Sequence, residues 1–409
     1  LNAASPARNA VSLADAPILA AVIWLASAIM LLSGLVDLPN TISAGTISVQ
    51  AILTICYFAA GLLLFPLLPR SASLFTSTLF PLLVFIFWAV TSLAWSTAVV
   101  KGLQNVLILC ILLVTIRMSA AAAGASPGFA SQFQTRLQQS TILSSSVYAC
   151  SVLWFGAGSN DVFGARSFGL FALLGVAYYL SCWRYGHRSG LLGATLLTLL
   201  IGVSLSRLAL GIAVALFPMS QIPSRGFSKT LRMAVILVVV FAISFGSVVY
   251  IDALRERFLT GDVSLKIGSF AINGSGRAAF WRVTLDSLEE SPLFGKGAGS
   301  TEALIESFFI DMRHPHSDYL RVANDYGAVG VSLWSVAIGA LLFRLWKSWR
   351  TADRCRHPTA KIHFAAFLAL VAFILEMSME NAMVYIFVVA PLALLIGTSL
   401  GTPIPAARS

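Results

Sequence analysis

The sequence predicts an all-α polytopic membrane protein, and three observations predict it. Of its 409 residues, 58% are hydrophobic and only 11% charged, with a mean hydropathy of +0.85; a soluble globular chain carries roughly a quarter charged residues. Apolar runs long enough to cross about 30 Å of hydrocarbon as helices recur along nearly the whole chain. Lysine and arginine also divide unevenly between the two sides that these runs define, as the topology of cytoplasmic loops requires. The net charge of +10 therefore records orientation and implies no nucleic-acid partner.

The runs lie near residues 16–36, 47–68, 74–95, 100–116, 138–156, 168–183, 231–250, 326–346, 362–377 and 383–400. The stretch 189–222 is too long for one crossing and is broken by Ser204-Leu205-Ser206-Arg207. It reads as two short spans, about 189–204 and 208–222, with Arg207 at their shared end. The total is about twelve transmembrane helices. With both termini cytoplasmic, the short outer loops hold only Lys101, Arg166 and Arg207. The inner side gathers Arg70, Arg117, Arg136, Arg184, Arg188, Arg225, Lys229, Arg232 and the basic cluster from Arg344 to Lys361. The outer side's remaining basic residues sit in one long loop, and long loops count little in this rule.

That loop, about 251–325, is expected to form a small helical periplasmic cap. Residues 276–290 have helical spacing, and Ser291-Pro292 with Gly295, Gly297 and Gly299 ends that helix in a turn. A second short helix is expected over 300–310. The chain thus divides into 1–250, nine spans with short loops; 251–325, the cap; and 326–409, three spans and a cytoplasmic end. The cysteines Cys56, Cys110, Cys150, Cys182 and Cys355 avoid the cap and form no CxxC, so neither a disulfide nor a metal site is expected. The N-terminal stretch lacks a basic start and a clear A-x-A pattern, and the first span is expected to serve as its own insertion signal.

Polar residues at the outer face carry the chemistry. Arg313-His314-Pro315-His316-Ser317-Asp318-Tyr319-Leu320 holds two of the five histidines where the cap meets the next span. An arginine offers a fixed fork that binds phosphate through two hydrogen bonds. A histidine near its ordinary pKa can take a proton from a hydroxyl at neutral pH. Arg166, Arg207 and Arg277 with His314 and His316 therefore suit a lipid-linked phosphate donor and a hydroxyl acceptor. The competing readings are plainer: Arg166 and Arg207 as residues snorkelling to headgroups, Arg277 as a solvated residue of a cap helix, and the histidines as loop residues. Glu376 and Glu380, at the outer end of the eleventh span, read as interfacial residues facing water, with the orienting of an arginine as the alternative. Trp88 and Trp95 fit an interfacial aromatic belt. No span carries a chain of charges across its middle, which argues against an ion-coupled transporter. No P-loop and no HExxH is present.

Several segments together resemble the O-antigen ligase/polymerase superfamily of bacterial membrane glycosyltransferases, and most resemble the O-antigen ligases. They are Ser92-Leu93-Ala94-Trp95-Ser96, Arg166-Ser167-Phe168-Gly169, Ser206-Arg207, Gly276-Arg277 followed by Trp281, and Pro292-Leu293-Phe294-Gly295-Lys296-Gly297. Pro315-His316-Ser317-x-x-Leu320 with Asp325-Tyr326-Gly327-x-x-Gly330 completes the set. The family usually has His-Asn where this chain has His316-Ser317. The resemblance implies a GT-C-like fold with the cap over an outer-face cavity. It implies that Arg207 and Arg277, with Arg166, bind the donor diphosphate and that His316 activates the acceptor. His314, Trp281 and Arg313 are supporting candidates, and no cofactor or metal is implied.

The expected function is that of an O-antigen ligase in the bacterial inner membrane, with its active site facing the periplasm. It would transfer glycan from an undecaprenyl diphosphate donor to lipid A-core, with inversion at the anomeric carbon. The alternatives are an O-antigen polymerase, a protein O-glycan ligase and, from another class, a non-catalytic lipid-glycan transporter. The single compact outer loop is what favours the ligase.

Overall fold

A computed structural model describes residues 16–44, 47–68, 78–126, 128–223, 263–267, 270–273, 277–310 and 312–403. Its principal helices are α1 (Ala16–Ser33), α2 (Val49–Leu64), α3 (Phe80–Thr91), α4 (Val99–Ala125), α5 (Phe129–Phe155), α6 (Ala165–Arg184), α7 (Arg188–Val203) and α8 (Arg207–Ser220). There follow α9 (Arg277–Glu289), α10 (Ser300–Phe308), α11 (Asp318–Arg354), α12 (Ala360–Glu376) and α13 (Ile386–Gly401). Four helical stretches, those containing α2, α4, α6 and α11, are long and apolar enough to cross a membrane, and shorter apolar helices accompany them. This is a multi-pass membrane protein. Every expected span has its helix except 231–250, which lies outside the described residues together with most of 251–276.

Two antiparallel strand pairs, which the sequence reading did not foresee, accompany the helices: Ser43–Ala44 with Ile47–Ser48, and Val263–Ile267 with Phe270–Asn273. The second belongs to the cap. The expected cap helices are α9 and α10, and both pack against α11. Several arginines assigned to inner loops sit in helices instead, Arg117 and Arg136 among them. Arg117 is buried in α4, which continues to Ala125, and Arg136 lies in α5, which starts at Phe129. The apolar run marks only the part of a helix that meets lipid, so a helix that stays packed on protein outlasts it.

The interior is formed by α4, α6, α12 and α13, whose residues are mostly buried, while α2 and α7 present apolar side chains outward. In lipid the hydrophobic effect does not drive helices together, so close packing of small residues matters more. The contact of α13 with α4 follows this rule: a Cβ on Gly401 would stand 2.0 Å from the Ala120 carbonyl oxygen. On the cap side, α11 is interrupted at Gly327, whose φ of +65° favours glycine. The turn after α9 packs there backbone to backbone, and a Cβ on Gly327 would lie 2.2 Å from the Leu293 carbonyl oxygen. Lys296 N–H donates to the Asn324 carbonyl at 2.7 Å and Gly297 N–H to that of Asp325 at 2.9 Å. The Asp325 carboxylate in turn accepts from Gly299 and Thr301 N–H at the start of α10. Trp88 is part of this joint, because its indole N–H donates to the Tyr326 carbonyl at 3.1 Å. It therefore does more than line an interfacial belt.

Candidate active site

A cavity of about 510 Å³ opens at the end of the bundle that carries the cap-to-span junction. Its lining includes Gly164, Arg166, Leu205, His316, Glu380 and Tyr385. Among the described residues, four helices begin there. Gly164 is the N-cap of α6 and Tyr385 that of α13. Leu205 stands one residue before Ser206, the N-cap of α8, and His316 one residue before Ser317, the N-cap of α11. Each helix contributes a partial positive charge at its start. The cavity is thus favourable for an anion before any side chain is counted.

Two lining residues have backbone strain. Leu205 has φ +59° and His316 φ +53°, an unusual region for side chains other than glycine. Such conformations persist where the surroundings over-determine them, and they cluster at functional sites. Around His316 the restraints are visible. Trp281 N–H donates to the Pro315 carbonyl at 2.9 Å. The Ser317 hydroxyl caps α11 by accepting from Leu320 N–H at 3.4 Å, a task a helix-capping residue must perform here. Asp318 is fully buried; its N–H donates to the Met377 carbonyl at 2.9 Å and its carboxylate accepts from Met383 N–H at 2.8 Å. The segment bearing Glu380 is thereby clamped beside His316.

Glu380 is the residue the sequence reading undervalued. It and Glu376 are buried rather than facing water, because residues 377–385 fold back over the end of α12 and onto Asp318. The Glu380 carboxylate accepts from Arg277 at 2.7 Å and lies 3.6 Å from His316 Nδ1. Burial pushes this carboxyl up, but His316, Arg277 and Arg166 together outweigh burial and hold it below its ordinary value. Burial also lowers the Arg277 guanidinium, with Arg166 adding to that and Glu380 opposing it. Arg277 Nε is buried without a partner. Asn381, fully buried, places Nδ2 3.4 Å from His316 Nδ1 and leaves Oδ1 unpartnered. A half-turn of that amide offers Oδ1 to a protonated Nδ1. A proton held on Nδ1 by Glu380 or Asn381 leaves Nε2 as the basic nitrogen.

The sequence-predicted residues do not all meet in one place. His316 and Arg166 line the cavity, and Arg166 is exposed there. Arg277 stands behind it, joined through Glu380, and Trp281 supports the His316 loop. Arg207 is half-buried and starts α8 two residues beyond Leu205, outside the lining. His314 does not line the cavity; burial, aided by Arg321, His316, Arg313 and Lys101, drops its ring to about 3, so it is neutral at pH 7. Arg313 is exposed and lies 3.6 Å from Glu306, which Lys101 also pairs, so it is not brought to the cavity. Among the described residues, no three His, Cys, Asp or Glu side chains are placed to hold a metal.

Residues 169–335, from α6 into α11, match the family model described as O-antigen ligase. This segment is an O-antigen ligase family domain. The domain contains Arg207, Arg277, Trp281 and His316. Arg166, Glu380 and Tyr385 line the cavity from outside the matched segment, and Asn381 stands behind it against His316. No curated protein matches the chain. The matched family is one of ligase or polymerase type in membrane glycan transfer, and it implies lipid-linked glycan substrates in general.

Proposed function

We propose that the protein is an O-antigen ligase, which joins polymerised O-antigen from undecaprenyl diphosphate to a sugar hydroxyl of lipid A-core at the periplasmic face of the bacterial inner membrane. The observation that carries this reading is the convergence of four helix N-termini, Arg166 and the His316–Glu380 pair on one cavity. The donor diphosphate would sit against Arg166 and the helix starts, with Arg277 and Arg207 adding charge from behind and beside it. His316 Nε2 would take the proton from the acceptor hydroxyl as its oxygen attacks the anomeric carbon. The bond from that carbon to the diphosphate would break on the opposite face, giving inversion, and its electron pair would pass to the diphosphate. Fixed cations and helix N-termini stabilise that charge as it develops. Glu380 would hold His316 in the productive orientation and stabilise the imidazolium formed.

The test is transfer by purified protein in liposomes, with a chelator present, from undecaprenyl-diphosphate-linked O-antigen to lipid A-core. Glycan on lipid A-core that disappears with His316→Ala is the expected result. Longer lipid-linked chains with no transfer to core would make the protein a polymerase. Glycan on a protein acceptor instead would make it a protein O-glycan ligase. Donor crossing the bilayer without any new bond, unaffected by His316→Ala, would make it a transporter.

A further inference from the structure

A second cavity lies beside the first and differs from it in kind. It measures about 440 Å³ and follows the last turns of α5, along Ser146, Val147, Cys150 and Trp154, with Phe155 and Val162 closing it. Its lining has no charged residue. Ten residues of helix, 146–155, rise about 15 Å, which is half of the roughly 30 Å hydrocarbon thickness. Because α5 ends on the side of the candidate active site, this groove lies in the outer leaflet. Trp154 at its mouth is 85% exposed.

The two cavities share one wall, the loop 156–164. Gly158, Asn160 and Gly164 face the polar cavity, while Phe155 and Val162 face the groove. The loop is tied down on both sides. Ser159 hydroxyl meets that of Ser151 at 3.0 Å, Gly158 N–H donates to the Val203 carbonyl at 3.0 Å, and Asn160 accepts from Ala165 N–H at 2.9 Å. Val162 precedes Arg166 by four residues, so their Cα atoms are within about 14 Å even for an extended chain. A lipid whose tail fills the groove can therefore place its headgroup at Arg166 and the start of α6.

We propose that this groove holds the proximal isoprenoid units of the donor, so that α5 and the loop 156–164 set the diphosphate in register with His316. The proposal rests on the glycan-transfer reading for the identity of the lipid. A single chain with a diphosphate head matches the combination of one narrow apolar groove and an adjoining cationic cavity. Bulk phospholipid is the competing occupant.

The test uses the full chain in nanodiscs of phosphatidylethanolamine and phosphatidylglycerol, with undecaprenyl diphosphate as the probe. A photo-crosslinking side chain is placed at Cys150 and, as the lipid-facing control, at Leu196 of α7. The expected result is saturable crosslinking to the probe at Cys150, several-fold above Leu196 and competed by unlabelled probe but not by added phosphatidylglycerol. Equal labelling at both positions, or competition by phosphatidylglycerol, overturns the proposal. Ser146→Trp, an exposed position on the groove, should raise the donor KM about tenfold, equivalent to ~1.4 kcal/mol, with kcat and melting temperature unchanged; an unchanged KM also overturns it. Glycan transfer is measured in the same preparations. His316-dependent transfer without preferential crosslinking removes the groove and keeps the transfer reading. Preferential crosslinking without transfer to any acceptor keeps the groove and removes the transfer reading.

Discussion

Arg277 and Arg184 occupy opposite ends of the bundle, and both have their guanidinium groups drawn into the protein. At one end, Arg184 Nη1 donates to the Ser220 carbonyl at 2.7 Å, and its guanidinium lies 5.1 and 4.8 Å from the ring centres of Trp349 and Phe364. Tyr185 beside it joins Asp353 and Trp349. This cluster locks the ends of α6, α8 and α11 to the start of α12. At the other end, Arg277 is held by one carboxylate, has a buried N–H without a partner, and stands one residue away from an open, positively biased cavity. The first arginine is satisfied by aromatic faces and a carbonyl. The second belongs to a network that includes a strained histidine and faces a space able to take an anion. A half-buried arginine at one end of the bundle is therefore not informative by itself; what its partners leave unsatisfied is.

The comparison can be broken in several ways, of decreasing size. His316→Ala should lower glycan transfer on the order of 10²–10⁴-fold, the usual weight of a general base, with an unchanged melting temperature. A loss below tenfold would remove the base role. Arg277→Ala should destabilise the fold by about 3–5 kcal/mol, as removal of one partner of a buried pair does, seen as a lower denaturant midpoint together with lost activity. Glu380→Gln keeps the shape and one hydrogen-bond acceptor but loses the charge. It should lower kcat about tenfold to a hundredfold, or ~1.4–2.7 kcal/mol, with little change in donor KM. Arg184→Lys should cost about 0.5–2 kcal/mol of stability through the lost stacking and leave kcat unaltered. A large kcat effect there would erase the distinction between the two ends.

The smallest effect concerns His314. Its folded value, about 3, lies below the ordinary 6.5, so the unfolded chain binds the proton more readily between those values. Stability must then fall as pH drops from 6.5 toward 3, by about 1.4 kcal/mol per pH unit at most. Thermal melts at pH 7 and pH 5.5 should differ in the parent protein. His314→Phe should flatten that difference, and an unchanged slope would show that His314 is not the group responsible.

Much of this was legible in the chain. Apolar runs gave the spans because lipid admits few alternatives for a long apolar segment. The break at Ser204–Arg207 gave the turn between α7 and α8, and the glycines after Pro292 gave the turn that docks on Gly327. The motif residues Arg166 and His316 were found, and both line the cavity. Glu380 was misplaced because nothing local distinguishes a carboxylate at a span end that faces water from one that is folded under. Its burial comes from Asp318, more than sixty residues earlier, which anchors the 377–385 segment. Asn381 and Tyr385 carried no sequence signal for the same reason, and Arg313 looked like a partner because adjacency in sequence to His316 does not fix direction.

The sequence by itself determined the solvent: which segments are apolar enough for lipid and which carry charge. Those follow from transfer free energies that act residue by residue. The tertiary structure alone decided which charges meet, because ion pairs and hydrogen bonds depend on distances of a few ångströms between segments far apart in the chain. That is why Arg166, Arg207 and Arg277 could be singled out from the sequence, while the pairing of Arg277 and His316 through Glu380, and the four helix starts around one cavity, emerged only when the helices were packed.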